Sequence, residues 1–236
     1  GGTAFHIACE QGNAECAEAL VRAGCDTSLR DMAEGETGRD IAQTKGHAAL
    51  LERLDSLDPD PVRGMSTAAR VGNLEELTRL LDAGCDIDAL SDTYMPVLGK
   101  PTKIHMTAVH CAVHYRQEAV LRLLLDRGAN PNLADSVGGT PLMEATAKGF
   151  ATILQQLLEA KADMDAAHPM TGNTAFHSAC FRGASSYVEA LVLAGCDRSL
   201  RTKAGKTGRD LATEKNNRGV LMALKRLNQS EPQRRL

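Results

Sequence analysis

The sequence predicts an all-α fold, a solenoid of about seven helix-turn-helix repeats with short β-turn or hairpin tips. Three observations carry that expectation. Similar stretches return every 33 or 34 residues: Thr3-Ala4-Phe5-His6, Thr107-Ala108-Val109-His110, Thr140-Pro141-Leu142 and Thr174-Ala175-Phe176-His177. Weaker copies begin at Thr37-Gly38-Arg39-Asp40 and Thr207-Gly208-Arg209-Asp210. Each start leads into a small-residue helix and then a second, leucine-rich one, with apolar residues at helical spacing such as Leu121, Leu124 and Leu125 or Val188, Leu191 and Val192. The second helix often ends on a glycine stop, at Gly24-Cys25-Asp26, Gly84-Cys85-Asp86, Gly128-Ala129-Asn130 and Gly195-Cys196-Asp197. A fixed period of this length builds stacked units, and their function lies on a surface rather than in a catalytic pocket.

Each element has a local reason. The Thr140 hydroxyl can cap free backbone amides, and Pro141 suits the first helical turn because it has no amide hydrogen to leave unpaired. Ala145 and Ala147 let neighbouring repeats approach closely, and Gly128 and Gly195 accept the left-handed conformation that ends a helix. Lys161 stands in that glycine slot, where the left-handed backbone costs about 1 kcal/mol; with His168 as an extra residue just after it, a bend is expected between the fifth and sixth repeats. Repeats fall near 1–33, 34–57, 65–101, 102–134, 135–168, 169–201 and 202–236. Residues 1–57 read as two repeats closing a preceding block, 58–64 as a proline-containing break, and 65–236 as five repeats with an insertion at 91–101. Residues 1–30 match 172–201 at about two positions in three, so a multi-repeat module looks duplicated within the chain. Two repeats rarely stand alone, which favours 1–57 stacking onto 65 onward. The chain opens inside a repeat's turn, which points to an excerpt of a longer protein.

These motifs resemble the ankyrin-repeat family, whose copies read G-x-T-P-L-H-x-A-A…G-A-D-V-N. The resemblance covers nearly the whole chain and implies an L-shaped β-turn plus two antiparallel helices per repeat. Most copies depart from it by replacing the proline with Ala or Gly. Asp40 and Asp210 stand where the family's His sits, which gives those two copies the look of terminal repeats.

Composition narrows the function. The seven cysteines form no C-x-x-C pair; Cys25, Cys85 and Cys196 share one repeat position, and Cys9 and Cys180 another. Cysteines locked to a repeat read as small buried apolar residues, and free thiols at this density point to a reducing compartment, cytoplasmic with the nucleus as alternative. No stretch has the roughly 20 apolar residues of a membrane span. Gly205-Lys206-Thr207 resembles the end of a phosphate-binding loop, but the earlier glycine is missing and no strand precedes it. His110 and His114 lie four apart, a spacing zinc can use, yet no third or fourth ligand is evident, and His110 shares its slot with His6 and His177, where a ring would bridge turns by hydrogen bonds. No nucleophile or kinase signature appears, so the expectation is a chain that is not an enzyme and needs no cofactor or metal. Residues 198–236 carry eleven Lys or Arg against three Asp or Glu, in a chain of formal net charge −3. Oppositely charged ends would permit self-association. Without stacking aromatics, nucleic acid is the weaker reading.

The resemblance also implies where a partner would bind: turn tips and the exposed end of each first helix, lining a concave face. Carried over by position, this gives Lys103, Ile104, Met106, His114 and Tyr115 in the fourth repeat, and Ser136, Val137, Ala147 and Lys148 in the fifth. In the sixth it gives Met170, Thr171, Asn173, Phe181 and Arg182, with Glu10 and Gln11 as first-repeat counterparts. Tyr115, Phe181 and Arg182 stand out, because aromatic and Arg side chains are the usual interface anchors. The insertion adds Tyr94, Met95, Val97 and Leu98, either as a binding loop or folded back as a small satellite core. The expected function is a non-catalytic scaffold or adaptor binding a protein or peptide. The alternatives are a regulatory or targeting segment of a larger ligase or kinase, and a binder of acidic surfaces or nucleic acid through the basic end.

Overall fold

The computed structural model describes residues 2–27, 29–32, 35–57, 61–97 and 100–230, and of residues 55–57, 61–63, 93–97, 100–102 and 230 the backbone alone. It divides into two compact units: Gly1–Gly64 with Asp92–Ile104, and Met65–Ser91 with His105–Leu236.

In the first unit, α1 (Ala4–Glu10) packs on α2 (Ala14–Arg22) and on α3 (Gly38–Thr44), and α2 packs on α4 (Ala48–Leu57). Their core is Phe5, Ala8, Cys9, Ala17, Ala42, Leu50 and Leu54. An antiparallel bridge between Arg30 and Thr37 closes the tip turn. The guanidinium of buried Arg39 donates to the Leu54 carbonyl at 2.7 Å, so a cation lies near the C-terminal end of α4 where free carbonyls collect.

Of the expected break, 58–60 lie outside the described residues. Pro61 opens α5 (Pro61–Val71), so 61–64 form its first turn; proline at a helix start gives up no hydrogen bond. The stretch read as an insertion at 91–101 belongs to a two-stranded sheet of β1 (Ser91–Val97) and β2 (Lys100–Met106). The division between units falls within α5 and within both strands.

The second unit continues from α5 with α6 (Leu74–Asp82), α7 (Ala108–His114), α8 (Glu118–Asp126), α9 (Pro141–Lys148), α10 (Ala151–Glu159), α11 (Ala175–Arg182), α12 (Ser185–Ala194), α13 (Gly208–Glu214) and α14 (Arg218–Ser230). First helices stack on first helices (α7, α9, α11, α13) and second on second (α6, α8, α10, α12, α14). Leu121, Leu124, Leu142, Ile153, Leu157, Phe176 and Leu191 are fully buried between them. Thr107, Thr140, Thr174 and Thr207 cap the first helices, each hydroxyl accepting a first-turn amide.

Two devices join successive repeats. The first is the histidine bridge. His110 Nε2 lies 3.2 Å from the Gly139 carbonyl and His177 Nε2 3.1 Å from that of Leu200, while each Nδ1 meets the capping threonine hydroxyl at 3.0 and 2.9 Å. A carbonyl only accepts, so Nε2 carries the hydrogen and Nδ1 accepts. Burial pushes both rings below the ordinary histidine pKa, which keeps them neutral. His6 makes the same bridge to the Glu36 carbonyl at 3.2 Å. Asp40 and Asp210, in the histidine slot, instead accept the backbone amides of Thr37 and Thr207 at 2.9 Å.

The second device is a ladder of acidic and amide side chains. Asp88 accepts the Asn130 amide at 2.9 Å, Asn132 that of Asp163 at 2.7 Å, and Asp165 that of Asp197 at 2.8 Å. The ladder crosses the fifth-to-sixth junction without a break, so the bend expected from Lys161 and His168 is absent at these bonds. Lys161 does take the left-handed conformation, with φ 59°. The extra His168 is absorbed in the tip turn, where its carbonyl accepts from Gly172 at 2.7 Å.

The duplicated blocks share one further contact. A Cβ on Gly38 would lie 2.7 Å from the Phe5 ring and 3.2 Å from Cys9 Sγ; on Gly208 it would lie 2.5 Å from Phe176 and 3.0 Å from Cys180. Neither glycine has positive φ, so space rather than conformation requires it. The larger Phe of one repeat takes the volume that a side chain at the next helix start would fill.

Candidate functional site

In the second unit, the tip turns of the sixth and seventh repeats are coupled by a backbone hydrogen bond from Lys203 to Thr171 at 2.9 Å. Beside them the outer side of α11 leaves a groove of about 580 Å³, lined by Ala147, Thr171, Asn173, His177, Ser178, Phe181, Arg182, Thr202, Lys203, Ala204, Lys206 and Leu211. The size is that of an ordinary ligand cleft. Phe181 is 49% exposed, although it is one of the chain's few aromatics, and the Lys215 ammonium sits 4.4 Å from its ring centre. Lys206 pairs with Glu214 at 2.7 Å. Among the described residues, Arg182, Lys203 and Lys215 have no carboxylate partner, and no acidic side chain lines the groove. The surface therefore offers an apolar floor of Phe181, Ala147, Ala204 and Leu211 beneath uncompensated positive charge.

A second cluster lies between α7 and α9. His114 Nδ1 meets Glu144 Oε1 at 2.5 Å, and Lys148 reaches the His114 carbonyl at 3.2 Å and Glu144 at 3.7 Å. Tyr115, 39% exposed, stands edge-on to the His114 ring at 4.9 Å. Half-burial pushes its phenol above the usual value, so it stays a neutral donor and acceptor. Val137 and Met170 are exposed at the tips.

The expected site residues thus separate. Asn173, Phe181 and Arg182 meet in the groove with Thr171 and Ala147, while His114, Tyr115 and Lys148 form the second cluster. Ile104 and Met106 correct the expectation of exposure, being 5% and 2% exposed. They alternate with Lys103 and His105 on β2, and a strand turns every second side chain inward. Lys103, in the first unit, is held by Asp92 at 2.5 Å and Asp40 at 3.6 Å, which spends its charge locally. Tyr94 and Met95 lie on β1, and their side chains, with residue 98, fall outside the described residues. Lys203, Ala204, Leu211 and Lys215 were not among the expected residues. Moving the same tip and helix-end positions one repeat further, into the terminal copy, finds them.

Most of the cysteines are packing residues. Burial raises the thiols of Cys9 to about 11 and of Cys180 and Cys196 to about 12, so they stay protonated. Among the described residues no group of three His, Cys, Asp or Glu is placed to hold a metal ion, and no helix is long and apolar enough to cross a membrane.

Helix pairs joined by tip turns, bridged by histidine and capped by threonine, define a helical repeat protein of the interaction class. The chain belongs to the ankyrin-repeat family: that family's pattern matches residues 65–168 as three copies, and 1–32 and 171–203 as single repeats. It is 36% identical over 102 residues to human "Ankyrin repeat and KH domain-containing protein 1", covering 43% of this chain and 4% of that protein. Over 165 residues it is 29% identical to human "SH3 and multiple ankyrin repeat domains protein 2", covering 67% and 8%. Over 98 residues it is 40% identical to mouse "B-cell lymphoma 3 protein homolog", covering 41% and 21%. The chain therefore spans a small part of each of these relatives.

Proposed function

We propose that this chain is a non-catalytic binding module that takes a protein or peptide on the tip face of its second unit. The observation that carries the reading is Phe181, half exposed in a groove whose Arg182 and Lys203 have no carboxylate partner among the described residues. Aromatic and arginine side chains in such settings are the usual energetic centres of interfaces. The His114–Glu144–Lys148 cluster with Tyr115 would extend the contact along the same row of first helices. The relative named for SH3 and multiple ankyrin repeat domains carries such repeats beside a domain of another kind, and the same arrangement is proposed here. The seven free cysteines support a reducing compartment, the cytosol or the nucleus.

The test is a random peptide display selection on the wild-type chain, with affinities of the selected peptides read by fluorescence anisotropy. Phe181→Ala and Tyr115→Ala are expected to keep the wild-type melting curve and to weaken binding tenfold or more. Unchanged affinity in both variants would remove this face.

A further inference from the structure

The two copies of the duplicated module give the groove a comparison inside the same chain. Aligned without a gap, 1–12 and 172–183 differ at four positions: Gly2 and Asn173, Ile7 and Ser178, Glu10 and Phe181, Gln11 and Arg182. All four second-copy residues line the groove. The packing contacts are the same in both copies, with Phe5 and Cys9 against Gly38, and Phe176 and Cys180 against Gly208. Divergence has spared the frame and fallen on the face. The next tip, one residue longer in the first copy, continues the pattern: Asp31, Met32 and Glu36 stand where the groove has Thr202, Lys203 and Lys206. The sign of charge reverses at one aligned position, Glu36 and Lys206; elsewhere an acid is lost (Glu10 to Phe181, Asp31 to Thr202) or a cation gained (Gln11 to Arg182, Met32 to Lys203), so the second copy's face is the more positive on one scaffold. Even the partner of the helix-end lysine has changed, Lys45 lying 4.0 Å from Glu10 and Lys215 over the Phe181 ring.

We infer that the groove of the second copy selects an acidic peptide, its carboxylates seated on Arg182 and Lys203 and a neighbouring apolar side chain laid against Phe181. This rests on the binding-module reading and adds the chemistry of the partner. Charge complementarity fixes the sign, because no carboxylate lines the groove and two of its cations have no partner among the described residues. The apolar floor favours a peptide over a nucleic acid, whose bases need stacking platforms; the single aromatic here already carries a lysine.

The test uses a fluorescein-labelled peptide of alternating glutamate and leucine, its glutamine counterpart, and a single-stranded oligonucleotide, read by anisotropy. Wild type is expected to bind the glutamate peptide at least tenfold more tightly than the glutamine one. Raising the salt from about 50 to 300 mM should weaken that binding several-fold, as for exposed charges. A triple variant, Phe181→Glu with Arg182→Gln and Lys203→Met, carries the residues the first copy holds on the same frame, so it should melt like wild type and lose the preference. Equal binding of both peptides, each weakened by Phe181→Ala, overturns the selectivity and leaves the face intact. Glutamate-peptide binding that survives the triple variant, tighter binding of the oligonucleotide, or no binding of either peptide overturns the inference. In the last case the display-selected peptides decide the fate of the face itself.

Discussion

Gly208→Ala should destabilise the second unit, against the ordinary direction of that substitution. In a helix Ala is favoured over Gly by about 1 kcal/mol, and the unfolded chain loses freedom as well. Gly208 sits at the start of α13 without positive φ, so backbone preference alone predicts a gain. The new methyl group, however, would stand 2.5 and 2.8 Å from two Phe176 ring carbons and 3.0 Å from Cys180 Sγ, where carbon atoms prefer roughly 3.5 to 4.0 Å. Phe176 is 2% exposed and Cys180 fully buried, so neither can swing into solvent. Overpacking of this kind costs about 1 to 3 kcal/mol and exceeds the helix gain. Gly219→Ala is the internal control, because its methyl would meet only Ser185 atoms at 3.8 and 4.0 Å. The assay is the urea midpoint of each variant. Gly208→Ala should fall, Gly219→Ala should rise or hold, and Phe176→Leu should reduce the cost of Gly208→Ala in a double-mutant cycle. A rise in Gly208→Ala equal to that of Gly219→Ala would refute the steric account, and with it the explanation of why glycine follows the Phe-bearing repeat in both copies.

Lys161→Gly should stabilise the second unit by up to about 1 kcal/mol, because it relieves a left-handed backbone at an exposed side chain; a melt that does not rise would count against the cost assigned to φ 59°. Stability should also fall as pH drops from 7.5 to 5.5. Burial holds His110 and His177 below their ordinary value, so the unfolded chain takes up protons as pH falls through about 6.5 while the folded rings do not. That stability is fully present above the unfolded value and is lost toward the lower folded values. A urea midpoint that stays level or rises at pH 5.5 would contradict the neutral, hydrogen-bonded rings.

The frame was legible because its causes are local. Thr140-Pro141 states a helix start, and Lys161 in a glycine slot states a left-handed residue, whatever surrounds them. The sheet was harder. Lys103-Ile104-His105-Met106 alternates as a strand should, but it lies just before a strong helix-start motif, and the family's pattern placed those side chains on an exposed tip. The charge of the groove was legible only in outline. Eleven cations near the end of the chain are visible in the sequence, whereas the pairing of Lys206 with Glu214, and Lys203 having no carboxylate partner among the described residues, depend on which side chains the turns bring within reach. Phe181 was found because exposed aromatics are rare in this chain; its lysine neighbour comes 34 residues later and needed the fold.

The ladder of side chains that accept the next repeat's amide has a direction, and it stops short of the last helix pair. Asp88, Asn132 and Asp165 each end a three-residue phrase and reach forward, but in the sixth repeat the same place holds Ser199, whose hydroxyl turns back to Asp197 at 2.6 Å. The ladder therefore ends one repeat before the helices do: α13 and α14 are held to the sixth repeat by helix stacking and by the His177 bridge to the Leu200 carbonyl, without a side chain reaching forward from Ser199.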